Sequence, residues 1–329
     1  MAKRSAGETK QLNLVFSCSR IRAVIRFGDM EDRIKDTRTL LFFYSVRWLE
    51  RRLSVRSLYW ILRPHAFVRA ALKGIPAPAP PPAGPGAEKP ARAIREERMK
   101  VYLNQILEYF PERLAEPKWM SGCRITGLDC LQQARQNGRP VVLAFRHCGS
   151  YFLLRPWLRA AGFPVAVLVG GKSEDRSKMR RREDRISPFP GVPTVFYLDQ
   201  LRAADKFLAA GNSLLVAIDY VAGKQMDVPV GDGRTFRMAT GAVRLAIRHG
   251  AELIPCSIID EGLWRFQIEL GRPVPAEYLA TETDLVPAGK HLLNELLPHF
   301  RNHSGQCSDQ LVRCSQPSPP ALPDGKSTG

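Results

Sequence analysis

No apolar run in the 329-residue chain approaches the roughly 20 residues that a helix needs to cross a bilayer. The opening stretch, MAKRSAGETKQLNLVF, lacks the apolar core and small-residue end of a secretory leader. Together these absences argue against a membrane-spanning or exported protein. Cysteine is sparse: seven residues, scattered and odd in number, form no CxxC pair and no framework spacing. Reduced thiols in a cytoplasmic protein are therefore the simplest expectation. Histidine is also scarce, and no grouping of it with carboxylates makes a zinc site, so no metal is expected. No internal repeat is visible. Acidic residues are too few to balance the basic ones, which leaves a net charge of +17.

That excess is uneven. Residues 1 to 75 hold sixteen Lys/Arg against six Asp/Glu, so more than half of it lies in the first quarter of the chain. Such a segment is drawn to an anionic surface, whether phospholipid, nucleic acid or an acidic carrier protein. Within it, residues 37 to 63 read as a helix, with Phe42, Val46, Leu49, Leu53 and Trp60 repeating on one side. Arg47, Arg51 and Arg52 crowd another side, and Trp48, Tyr59 and Trp60 favour a membrane interface. An apolar face packed on the main domain explains the same pattern, and the two uses are compatible. Nucleic acid is the weaker partner, because the aromatics fall on apolar helix faces instead of interleaving with the arginines.

The expected organisation is a basic amphipathic docking segment over 1–74, a Pro-rich linker over 75–93, an α/β domain over 94–303 and a Ser/Pro/Gly-rich disordered tail over 304–329. The domain opens with a helical stretch carrying Ile94, Val101, Ile106 and Phe110. Strand and helix signals then alternate. VVLAF, PVAVLVG, TVFYL, SLLVAID, ELIPCSII and WRFQIELG read as strands; CLQQARQNG, FLLRPWLRAAG, QLRAADKFLAAG and TGAVRLAIRHG read as helices. Near-continuous apolar strands separated by helices predict a mostly parallel central sheet covered on both faces.

In such sheets, ligand-binding residues gather past the carboxyl ends of the strands. His147 follows VVLAF, Asp219 follows SLLVAI, and the basic run GKSEDRSKMRRREDR, residues 171 to 185, follows PVAVLVG. This convergence marks His147 and Asp219 as catalytic candidates. The simpler uses are a satisfied structural histidine, a turn-capping aspartate and a solvated charge run. Cys148 beside His147 is a poor nucleophile candidate, since no second base is visible. Arg248 and His249 close a helix before Gly250, where positive charge is favourable without any chemistry.

The segment ITGLDCLQQARQNGRPVVLAFRHCGSYFLL resembles the histidine block of the lysophospholipid acyltransferase superfamily. Within that superfamily it is most like the lipid A late (lauroyl/myristoyl) acyltransferases, whose pattern runs G-x-E-x-L, helix, strand, H-x-G-N-W-E. Here the order is Gly127, Asp129 and Leu131, one residue off register, then His147 to Phe152. Later blocks are similar: Asp219, Val228-Pro229, Thr240-Gly241 and Pro255, so that the likeness spans about residues 121 to 275.

The resemblance implies transfer of a fatty acyl group from a thioester, on acyl carrier protein or coenzyme A, to a hydroxyl of a lipid or glycolipid. The thioester is a co-substrate and no cofactor is implied. It further implies a peripheral protein of lipid biosynthesis on the cytoplasmic face of the inner membrane, bound to anionic lipid. His147 would be the general base, Ser150 a substrate contact, and Arg182 and Arg185 the contacts to an acceptor phosphate. One departure stands out. The family's carboxylate five residues after the histidine is Phe152 here, and no acid occurs between His147 and Glu174. Asp219 is then the expected orienting group, with Ser150, Tyr151 or a backbone carbonyl as alternatives. A catalytically degenerate protein that binds lipid or acyl chains is the alternative reading.

Overall fold

The computed structural model describes residues 41–42, 44–72, 96, 99–100, 103–170, 193–219, 223–231, 234–303, 306 and 315–317. The chain divides into two compact units, Met1–Arg51 and Arg52–Gly329. In the first, the described residues are helical, and Leu41, Tyr44 and Trp48 are exposed. The proposed linker, Ile94, Val101, Arg182 and Arg185 lie outside the described residues.

The second unit begins at a break in the helix expected over 37–63. Leu53 and Ser54 are not helical, and a new helix, α1, runs Val55–Leu72. Ser54 accounts for the break. Its hydroxyl accepts from Ser57 N–H at 3.1 Å and its carbonyl from Leu58 N–H at 2.9 Å, the geometry of an N-cap. The restart changes the buried face to Leu58, Tyr59, Leu62 and Ala66. Trp60, Ile61, Phe67 and Val68 stand exposed, and the Arg63 guanidinium lies over the Trp60 ring at 4.9 Å.

A seven-stranded sheet forms the centre: β1 (Cys123–Thr126), β2 (Val141–Phe145), β3 (Val165–Val169), β4 (Val195–Tyr197), β5 (Ser213–Ala217), β8 (Glu252–Gly262) and β9 (Arg265–Leu270). Its order is β1-β9-β8-β2-β5-β3-β4, and every neighbouring pair is parallel except β8 with β9. Around it run α2 (Leu128–Gln136), α3 (Leu154–Ala160), α4 (Leu201–Ala209), α5 (Gly241–His249) and α6 (Val286–Asn302). This is the mostly parallel α/β architecture expected from the alternating signals. The α2 helix starts at Gly127, held at φ +74°, where a Cβ would collide with the Leu270 carbonyl.

Three features were not anticipated. The chain from Gln105 to Arg113 tightens into 3-10 turns, with Ile106, Leu107 and Phe110 buried. A smaller antiparallel sheet joins β6 (Gln225–Gly231) and β7 (Arg234–Ala239), and β10 (Ser315–Pro317), from within the tail segment, pairs with β7. The turn between β8 and β9 holds Leu263 and Trp264 at φ +54° and +56°, a conformation with a steric cost for residues bearing a Cβ. Buried Trp264 stacks edge-on against Tyr59 at 5.3 Å and tilts against Trp119 at 5.6 Å, so the turn is clamped by aromatic packing.

Candidate active site

Strand register brings the candidate residues together. β2 and β5 are parallel neighbours paired from Val141↔Ser213 to Phe145↔Ala217. His147 and Asp219 each lie two residues past that last pair, at the same level on the carboxyl edge of the sheet. The Ile218 N–H donates to the Phe145 carbonyl at 2.8 Å and extends the pairing toward them.

Asp219 is wholly buried and grips His147 twice. Its Oδ1 lies 2.7 Å from His147 Nδ1, and its Oδ2 accepts from the His147 main-chain N–H at 2.9 Å. A carboxylate beside Nδ1 selects the tautomer with the proton on that nitrogen, leaving the Nε2 lone pair free to take a proton. The imidazole keeps 18% of its side-chain surface exposed while its partner has none. Tyr151 packs edge-on against the ring at 4.5 Å and Phe145 lies tilted at 5.8 Å. Phe152, five residues after His147, is half-buried against Tyr151 at 5.7 Å. The orienting acid comes from the neighbouring strand end.

Arg146, buried beside the pair, has its pKa lowered to about 9. Burial causes the drop, and the nearby Asp219 charge partly opposes it. The guanidinium thus stays cationic at neutral pH, next to the carboxylate that holds the imidazole. Nothing in the charge pattern distinguished it from a strand-end arginine facing solvent.

Ser150, expected to touch substrate, has no exposed surface and accepts from Asn104 Nδ2 at 2.7 Å. Its hydroxyl is sealed from solvent and tied to the Asn104 side chain. Cys148 is disulfide-bonded, against the expectation of reduced thiols; among the described residues Cys123, Cys130 and Cys256 are free. Gly149 adopts φ +62°, and a Cβ there would collide with the Ile258 carbonyl on β8. The loop therefore passes so close to β8 that only glycine fits.

The basic run departs after β3, the other neighbour of β5, but its arginines lie outside the described residues. Other histidines serve elsewhere. His249 pairs with Asp205 at 3.0 Å, joined by Arg248 at 3.4 Å; His291 meets the Arg272 carbonyl at 3.1 Å; His299 pairs with Glu269 at 3.0 Å. Among the described residues no group of His, Cys, Asp and Glu is arranged to hold a metal ion. No family model and no curated protein matches the chain.

Proposed function

We propose that the protein is an O-acyltransferase that moves a fatty acyl group from an acyl thioester, on acyl carrier protein or coenzyme A, to a hydroxyl of a lipid or glycolipid acceptor. The observation that carries this reading is the 2.7 Å contact of His147 Nδ1 with Asp219 Oδ1 at the carboxyl edge of the sheet. An alcohol attacks a thioester carbonyl only when its proton has somewhere to go, and an imidazole held at Nδ1 offers its Nε2 for that proton. In the proposed reaction His147 Nε2 takes the acceptor's proton as the new C–O bond forms. The tetrahedral centre then collapses, the C–S bond breaks, and the thiolate leaves with the proton returned from the imidazolium. Asp219 stabilises that transient cation without accepting its proton.

Charge and exposed apolar groups support a peripheral position on anionic lipid. No helix among the described residues is long and apolar enough to cross a membrane. Trp48 in the first unit, and Trp60, Ile61, Phe67 and Val68 on α1, stand exposed among arginines. The fully buried Asp219 at Nδ1 favours the enzyme over the non-catalytic acyl-binding alternative, since a passive binder has no use for an oriented base.

Incubating the purified protein with acyl carrier protein or coenzyme A thioesters, detergent-dispersed hydroxyl lipids and anionic vesicles tests the proposal. The expected result is acyl product with the wild type, its loss in His147→Ala, and salt-sensitive sedimentation of both proteins with the vesicles. Undiminished transfer by His147→Ala, or thioester untouched across the acceptor set, overturns it.

A further inference from the structure

The loop that carries His147 is held from below by a residue far along the chain. Beyond Pro255, no strand among the described residues pairs with β8 on the side where β2 lay, because β2 ends at Phe145 while β8 continues to Gly262. The buried main-chain groups of β8 on that side take their partners from elsewhere. Gln306 supplies them with its side chain: Oε1 accepts from Asp260 N–H at 3.2 Å and Nε2 donates to the Asp260 carbonyl at 3.2 Å. This primary amide takes the part of a strand peptide. The Gln306 main-chain carbonyl in turn accepts from Gly149 N–H at 2.8 Å.

A second tie reaches the next loop residue. Asn104 Nδ2 lies 2.5 Å from Asp260 Oδ2 and 2.7 Å from Ser150 Oγ, and Asp260 Oδ1 accepts from Gly262 N–H at 2.7 Å. Asn104, Ser150, Asp260 and Gln306 are all buried. Gly149 and Ser150 are therefore both anchored to the Asp260 segment of β8, one through Gln306 and one through Asn104. Only Cys148 lies between the first anchor, Gly149, and His147, and Gly149 has no Cβ to hold the loop off β8.

We infer that Gln306 is a positioning residue: it fixes the height of the loop over the sheet and so sets where the His147 ring meets Asp219. The inference of an effect on catalysis rests on the reading of His147 as the base; the inference about loop position does not. Asp219 fixes the ring from the β5 side, and Gln306 fixes the backbone from the β8 side. A buried network of this kind acts as a unit, since each member left without its partner remains desolvated.

The test uses the full chain carrying Gln306→Met, which keeps the volume and removes both amide contacts, with Gln306→Ala as the second variant. Hydrogen exchange of peptides covering 146–151, and the low-field Nδ1–H resonance of His147 in ¹⁵N-histidine protein, report position without any turnover. The expected result is loop exchange about tenfold faster, the scale set by losing one or two buried hydrogen bonds. The His147 resonance broadens or shifts, and peptides from β5 and α5 exchange as before. If transfer is observed, kcat falls with KM nearly unchanged. Unaltered loop exchange and an unaltered His147 signal, or acceleration spread evenly over the chain, overturn the inference. An inactive wild type removes the base reading and leaves the exchange and resonance results to decide the position of the loop.

Discussion

One carboxylate with no exposed surface holds both the ring and the main-chain N–H of His147. Asp219→Asn is the sharpest test of that arrangement. The amide keeps the shape but presents either an oxygen to Nδ1 or an NH₂ that forces the opposite tautomer, and it removes the charge that balances imidazolium. In a comparable His–Asp pair the substitution costs about 10⁴ in kcat, and the same scale is expected here, with the far-UV spectrum unchanged. A loss of less than about tenfold would remove Asp219 from the orienting role. This acid was legible in the sequence through strand order, since its place after SLLVAI matched the place of His147 after VVLAF, and through its place in the later blocks of the resemblance. The lack of any acid in the stretch just after His147 was legible as a gap, while the register that brings Asp219 to the ring from 72 residues away is a tertiary fact. Asn104, Asp260 and Gln306 gave no signal at all, because a buried amide or carboxylate looks like any polar residue until its partners are known.

At the level of elements, the apolar strands of the central sheet announced themselves because burial on both faces leaves little polarity in them. The short β1 and the more polar β6 and β7 did not, since their residues serve a sheet edge or a smaller two-sided hairpin. The helix break at Leu53-Ser54 was hidden by an apolar repeat that runs straight through it. Local capping decided the outcome there, over periodicity. The Leu263-Trp264 turn shows tertiary packing prevailing over backbone preference. Two non-glycine residues hold positive φ because the Trp264 indole is buried against Tyr59 and Trp119. Trp264→Ala is expected to lower the unfolding free energy by about 3–5 kcal/mol in a urea titration. A change below about 1 kcal/mol would show that the aromatic clamp does not hold the turn.

For the molecule as a whole, acid sensitivity should trace to a histidine outside the candidate site. His299 on α6 has its pKa lowered, chiefly by burial and further by the Arg146 charge, although Glu269 at 3.0 Å and Glu295 pull the other way. The contact with Glu269 alone would raise it; desolvation prevails. A depressed folded-state value means that stability is full above the unfolded histidine value of about 6.5 and declines as pH falls below it, because the unfolded chain takes up the proton that the folded one resists. The urea midpoint should therefore drop between pH 7 and 5, and His299→Gln should flatten that slope. An equally steep decline in the variant would assign the sensitivity to another group.

The double grip of Asp219 on His147 also restricts what the imidazole can do over a reaction cycle. A ring tethered at Nδ1, on a backbone tethered by the same carboxylate, cannot swing from one substrate to another. Under the proposed chemistry, a single stationary nitrogen must collect the proton at the start and hand it back at the end. The incoming oxygen and the departing sulfur would then have to lie side by side above it. Such a centre would favour donors and acceptors that arrive along converging paths and would leave no room for a shuttle between separate stations.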